Sequence, residues 1–372
     1  MRFVTNAGLW GTAAPDVPAA LTALLEVSGA VLSWPVDDPA AADAPQIVFT
    51  DVRRADWLWR VLGESGQSRV AAALDGAAPA VELVGVDLIA GSTDRLRRLA
   101  FGHWLRRWWP ASRRDGIAGL DPALLDAEIA LLTAGAEDFF TDDTIDSDIG
   151  ELLAPHPAAL TAHVLGGDPR IIELARACAD LASDIGVEGP GWAELDAALE
   201  GTTSPDGRRD NYALAAGGDT SSGGEAGIAS GTDSVRWSAV PPGIFDAAED
   251  TVQWTVETRT GGAVATVTVA VGGPSAATGV AVALQSGEIS GAGVLDAVGR
   301  AVLPLVDAAA RPITESAAWQ RDWQATTATV GAERPAESPE LRERIRRLAR
   351  ARLQQPAADA FLAEIVAAES DY

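Results

Sequence analysis

Hydrophobic and polar positions follow different periods in different stretches of this chain. Arg2–Trp10 and Gln46–Thr50 are short apolar runs of strand length, and Val81–Ala90 is a third. Between them, Val17–Val31 reads as a helix opening after Pro15 and Asp16. Trp57, Leu58, Val61 and Leu62 recur at i, i+1, i+4 and i+5 on a second helix, and Asp94 is placed to cap a third. This alternation predicts a small α/β layer over residues 1–93. From 94 to 200 the period stays near 3.6, which predicts a helical region packed on that layer. Asp121-Pro122 and Asp168-Pro169 each place a cap acceptor before a proline at the first helical position. Trp192, Leu195 and Leu199 mark a last short helix after Pro190.

Residues 201–232 are dominated by Gly, Ser, Thr and Asp and read as a flexible linker. After it the period drops to two. Val252, Trp254 and Val256 alternate with Gln253, Thr255 and Glu257. Further runs follow at Val267–Val271, Val280–Leu284, Val302–Val306 and Thr326–Val330. Gly261-Gly262, Gly272-Gly273-Pro274 and Ser290-Gly291 supply turn signals between them. Residues 233–332 are therefore predicted to form an immunoglobulin-like or transthyretin-like β-sandwich. Gly279–Leu305, with GVAVALQSG followed by GVLDAVGRAVLPL, resembles the carboxypeptidase regulatory-like (transthyretin-like) domain. In that family a G-x-P-V-x-V strand precedes a T-D-x-x-G-x-a-x-L hairpin. Asp296, Gly299, Arg300 and Leu303 match the hairpin, and Leu295 stands where the family has Thr. The resemblance implies a non-catalytic accessory module. Residues 333–372 read as a helical tail, with Leu341, Ile345, Leu348 and Leu353 on one stripe and Phe361, Leu362, Ile365 and Val366 on another. The fold class is thus multidomain, α/β plus all-β.

Composition narrows the chemistry. The sequence has no lysine, and all 28 Lys+Arg residues are arginine. Schiff-base and P-loop lysines are excluded, as is side-chain conjugation of a protein tag. The lack fits either a GC-rich, actinobacteria-like coding background or selection to escape tagging. A net charge of −25 opposes binding to nucleic acid or anionic membranes. No run reaches 18 apolar residues and the N-terminus lacks a signal-peptide core, so no membrane insertion and a cytoplasmic location are expected.

Neither G-x-G-x-x-G, a Walker motif, H-E-x-x-H nor G-x-S-x-G occurs. Cys178 is the sole cysteine and sits in an apolar helical pattern, so it reads as core. The acidic run Glu137, Asp138, Asp142, Asp143, Asp146, Asp148 and Glu151 lacks the spacing of a calcium loop. His156 lies between Pro155 and Pro157 with His163 seven residues on, and His103 lies in an arginine-rich helix. No catalytic, cofactor or metal residue is assigned.

Asp94–Asp115 carries seven arginines and Glu340–Arg352 six, and both stretches are expected chiefly to pair with the chain's own carboxylates. The partner-binding candidates are Leu341, Ile345 and Leu348 on the amphipathic tail, Arg346 and Arg350 beside them, and the i, i+4 pair Trp319 and Trp323. The expected role is a non-catalytic adaptor or accessory subunit of a multi-component bacterial system, holding protein partners through the sandwich and the tail. The alternative is an enzyme or effector whose site lies in the N-terminal half, near Asp87, Asp94 and His103.

Overall fold

Alternation rather than helical periodicity governs the start of the chain. The computed structural model describes residues 1–12, 17–38, 44–75, 80–140, 145–202, 227–260, 262–273 and 275–370. Strands β1 (Arg2–Asn6), β2 (Leu9–Thr12), β3 (Thr22–Val27), β4 (Ala30–Pro35), β5 (Gln46–Phe49) and β6 (Ala80–Glu82) form one sheet in the order β3-β4-β5-β2-β1-β6. Every neighbouring pair is antiparallel. Helix and sheet are mixed as expected, but five strands precede the first long helix, α1 (Leu58–Leu74).

The helix expected over Val17–Val31 is instead a short 3-10 turn (Ala19–Leu21) and the β3–β4 hairpin. Ala23, Leu25 and Val27 are buried while Leu24 and Glu26 are exposed, a period of two. Gly29 decides the matter. It turns at φ +75°, and a Cβ there would lie 2.2 Å from the Asp51 carbonyl oxygen. The strand expected over Val81–Ala90 shrinks to β6.

One face of the sheet is core. Phe3, Leu25, Leu32, Trp34, Ile47 and Phe49 are buried there, and α2 (Asp94–Trp108) packs against β3. The Trp104 indole N–H donates to the Ala20 carbonyl at 2.9 Å. Asp94 lies in the first turn of α2. The layer continues through α3 (Pro122–Ala134), α4 (Ile145–Leu153), α5 (Pro157–Gly166), α6 (Pro169–Asp184) and α7 (Pro190–Thr202). The two Asp-Pro starts behave as expected: Asp121 accepts from the Ala123 and Leu124 N–H groups, and Asp168 from that of Arg170.

The remaining strands are β7 (Ala229–Asp233), β8 (Val252–Arg259), β9 (Gly262–Val269), β10 (Ala281–Ser286), β11 (Ile289–Val294), β12 (Arg300–Pro304) and β13 (Thr326–Val330). They make a four-stranded sheet, β12-β9-β8-β7, and a three-stranded sheet, β11-β10-β13. Alternate residues of both sheets, Val256, Val267, Leu284 and Leu303 among them, belong to a single buried cluster. Of the expected linker, residues 203–226 lie outside the described residues. Gly201 and Thr202 are the last residues of α7, and Ala229–Asp233 is β7. Gly231 is apolar packing in disguise, because a Cβ there would come 2.4 Å from the Trp254 ring. Ser290-Gly291, expected as a turn, lies inside β11, and the reversal falls at Gly287 (φ +58°).

The chain divides into two compact units. Unit 1 comprises Met1–Trp108, Leu120–Pro205 and Glu343–Asp371; unit 2 takes Trp109–Gly119 and Asp206–Arg342. The last helices are α9 (Pro339–Gln354) and α10 (Leu362–Glu369). Most of the tail therefore belongs with the N-terminal sheet and helices. Conversely, the loop after α2 belongs with the β unit: the buried Asp246 accepts from the Arg113 N–H at 2.9 Å, and the Ala247 N–H donates to Ala111 at 3.0 Å. No helix among the described residues is long and apolar enough to cross a membrane.

Candidate functional site

On the second face of the unit 1 sheet, Val4, Val31, Ser33, Gln46 and Val48 are half-buried and Leu24 is exposed. Register places Leu24 opposite Ser33, Ser33 opposite Gln46, and Val48 opposite both Val31 and Gly11. Gly11, Leu24, Ser33, Gln46 and Val48 border a concavity of about 1020 Å³ that extends to Val4, Asn6 and Leu9 on one side and to Val17 and Pro18 on the other. Leu24 is 51% exposed and Leu9 40%. Among the described residues no ionisable side chain lines this concavity, although the chain carries 53 acidic residues. The described lining offers apolar area together with neutral hydrogen-bonding groups from Asn6, Ser33 and Gln46.

A second cluster gathers all three histidines of the chain in the helical part of unit 1. Asp126 on α3 is 4% exposed. One of its carboxylate oxygens meets His156 Nε2 at 3.0 Å, and the other lies 3.1 Å from Arg106 Nε. His156 precedes Pro157 at the start of α5, and two turns on His163 Nε2 meets Asp121 at 2.8 Å. The seven-residue spacing brings both rings to one side of α5, so two His–Asp pairs staple α5 to α3. His103 lies one turn before Arg106 on α2. Burial, then the neighbouring Arg106 charge, holds its pKa below the ordinary value, while Asp126 and Asp148 act the other way. Asp87 and Asp94 are not among the charges that act on it. Among the described residues no group of three or more His, Cys, Asp or Glu is arranged to hold a metal ion. Of the acidic run, Asp142 and Asp143 lie outside the described residues, and Asp146 and Asp148 occupy the first turn of α4.

The partner-binding candidates separate by burial. Ile345 is 0% exposed, Arg346 5% and Trp323 7%, which corrects their reading as a contact surface. Ile345 and Trp323 are covered by the chain itself. Trp323 also donates its indole N–H to the Ala318 carbonyl at 3.0 Å. Leu341, Leu348 and Arg350 are half-buried, and Trp319 is 56% exposed. The arginines pair with carboxylates of their own unit, as expected: Arg344 with Asp37 at 2.6 Å, Arg342 with Glu249 at 2.9 Å and Arg98 with Glu128 at 2.7 Å. Cys178 is fully buried, and burial pushes its thiol up to about 12, which removes it as a nucleophile at neutral pH.

Sequence reasoning missed the sheet face because it had assigned β3 to a helix. The signal was present in Ser28-Gly29, a turn dipeptide between two apolar runs. The His–Asp staples had only the seven-residue spacing of His156 and His163 to announce them. No family model, curated protein or solved structure matches this chain.

Proposed function

We propose that this chain is a non-catalytic adaptor or accessory subunit of a multi-component bacterial system, working in the cytoplasm. The open face of its antiparallel sheet receives a protein partner. Unit 2 serves beside it as a transthyretin-like β-sandwich module, consistent with the hairpin residues Asp296, Gly299 and Leu303. The observation that carries this reading is the concavity bordered by Leu24, Ser33, Gln46 and Val48, whose described lining holds apolar and neutral polar side chains but no ionisable one. Acid–base catalysis needs a titratable group at the reacting atom, whereas a contact surface needs apolar area with a few neutral polar groups. On the amphipathic tail Ile345 and Arg346 are buried within the chain, so the reading rests on the sheet face.

Protein purified from its native host is expected to have a mass well above its own 38.4 kDa, with one partner at fixed stoichiometry. Val48→Arg puts a charge in the concavity and is expected to release that partner with only a few tenths of a kcal/mol change in stability. A monomer without partner in the unsubstituted chain overturns the proposal.

Asp126 with His156 and Arg106 favours a second reading, an enzyme or effector whose site lies among the helices. Loss of a cellular phenotype in a folded His156→Asn chain, with Val48→Arg silent, would select it.

A further inference from the structure

Strand β3 is an outer strand of its sheet, and the phase of its hydrogen bonds follows from the backbone. Val27 pairs with Ala30 across a two-residue turn, and the Val36 N–H donates to the Leu21 carbonyl at 3.0 Å. Both relations assign Leu21, Ala23, Leu25 and Val27 to the bonds with β4, since an antiparallel strand alternates its bonding direction residue by residue. Leu24 and Glu26 therefore turn both N–H and C=O away from the sheet. Thr22 turns out only its C=O, because its N–H is given to Ala19. Ser28, the next residue of the same outward row, already donates its N–H to the Phe139 carbonyl at 2.8 Å. The row thus accepts a neighbouring backbone at one end. At Leu24 and Glu26 no backbone bond from another described element reaches it.

Exposed edges are normally guarded by lysine, proline, a bulge or extreme shortness. Strand β3 has six residues, no proline and an unbroken one-to-one register with β4, and the chain has no lysine to place there. Glu26 is its one charge, and Leu24 stands half-exposed beside the concavity, whose described lining is uncharged.

We propose that β3 is a docking edge for an extended segment of a partner protein, which adds to the sheet as a seventh strand. The inference rests on the binding role proposed above and names where and how the partner docks. Backbone groups of Thr22, Leu24 and Glu26 supply the affinity, and side chains opposite them supply the choice. The residue opposite Leu24 lies over the concavity and is apolar; the residue opposite Glu26 is basic. Charge separates this occupant from a second copy of the chain. Pairing two β3 strands about Leu24 would set Glu26 against Thr22 and bring together two molecules of net charge −25, whereas a basic strand is drawn in.

The test uses the full-length chain and two capped peptides, GSRVVVTG and GSEVVVTG, which place Arg or Glu opposite Glu26 in an antiparallel strand. Saturating GSRVVVTG is expected to slow hydrogen exchange of the Leu24 and Glu26 amides by roughly tenfold or more, and GSEVVVTG to bind roughly tenfold more weakly. Leu24→Pro removes an outward N–H at a position where a sheet edge tolerates proline, and it is expected to abolish binding. Glu26→Lys changes an exposed side chain, leaves the backbone row intact and is expected to reverse the peptide preference. Unchanged exchange at both amides, or an unaltered preference in Glu26→Lys, overturns the docking edge. A dimer dissolved by Leu24→Pro without any peptide effect assigns the edge to a second copy and also overturns it. A native-host complex that survives Leu24→Pro and Glu26→Lys but not Val48→Arg overturns the edge while leaving the binding role standing.

Discussion

Two five-residue turns in unit 2 repeat one design. In Asp296–Arg300 the carboxylate accepts from the Val298 and Arg300 N–H groups, and Gly299 stands at φ +76°. In Asp307–Arg311 the carboxylate accepts from Ala309 and Arg311, and Ala310 stands at φ +59°. An alanine in the left-handed region is strained where a glycine is not. Ala310→Gly is therefore expected to raise stability by about 0.5–1 kcal/mol, read from the urea midpoint. Gly299→Ala is expected to lower it, because the added Cβ would meet the Val269 carbonyl oxygen at 2.5 Å. His103 carries a pH signature. Its native pKa is depressed, so below the ordinary value of 6.5 the unfolded chain binds the proton more readily than the folded one. Its contribution to stability is thus lost as pH falls through about 6.5, at a slope of at most about 1.4 kcal/mol per pH unit. Unfolding free energies of the unsubstituted chain and His103→Asn, compared from pH 7.5 to 5.5, are expected to diverge in that direction. Parallel curves would remove His103 from the account.

Elements were legible where a local device specifies them. Asp121-Pro122 and Asp168-Pro169 announce helix starts because the cap bond and the proline φ act within three residues. β8 and β13 announce themselves through strict alternation. β3 did not, since Ala-Leu-Leu-Glu-Val suits a helix as well as a strand, and only the Gly29 turn excludes the helix. β7 was hidden because its inward position is Gly231, whose partner Trp254 fills the space a side chain would take. The tail shows the same limit. Its second stripe is satisfied inside unit 1, where Phe361 is fully buried and a Cβ on Gly102 would come 2.8 Å from its ring. Glu364, also fully buried, accepts from the Phe361 N–H at 2.9 Å and from Arg352 at 2.8 Å. Glu364→Ala leaves the Arg352 guanidinium without its main partner, at an expected cost of about 3–5 kcal/mol. Glu364→Gln keeps an acceptor for both donors and should cost less. Chemical denaturation of both chains checks the order, and equal losses would show the charge to be irrelevant.

At the scale of the whole molecule, residues far apart in the chain are sorted into units without regard to sequence order. Residues 343–371 join unit 1, and Trp109–Gly119 joins unit 2. Composition bounds the chemistry: the absence of lysine excludes Schiff-base and P-loop lysines, and a single cysteine allows no internal disulfide. The sequence by itself determined period, caps, turns and charge, because each acts over a few residues or over the chain as a sum. Tertiary structure alone decided which stripe meets which and that the three histidines converge near Asp126 and Asp121. A buried stripe states that apolar area leaves water and is silent on what covers it. That choice belongs to packing between distant segments.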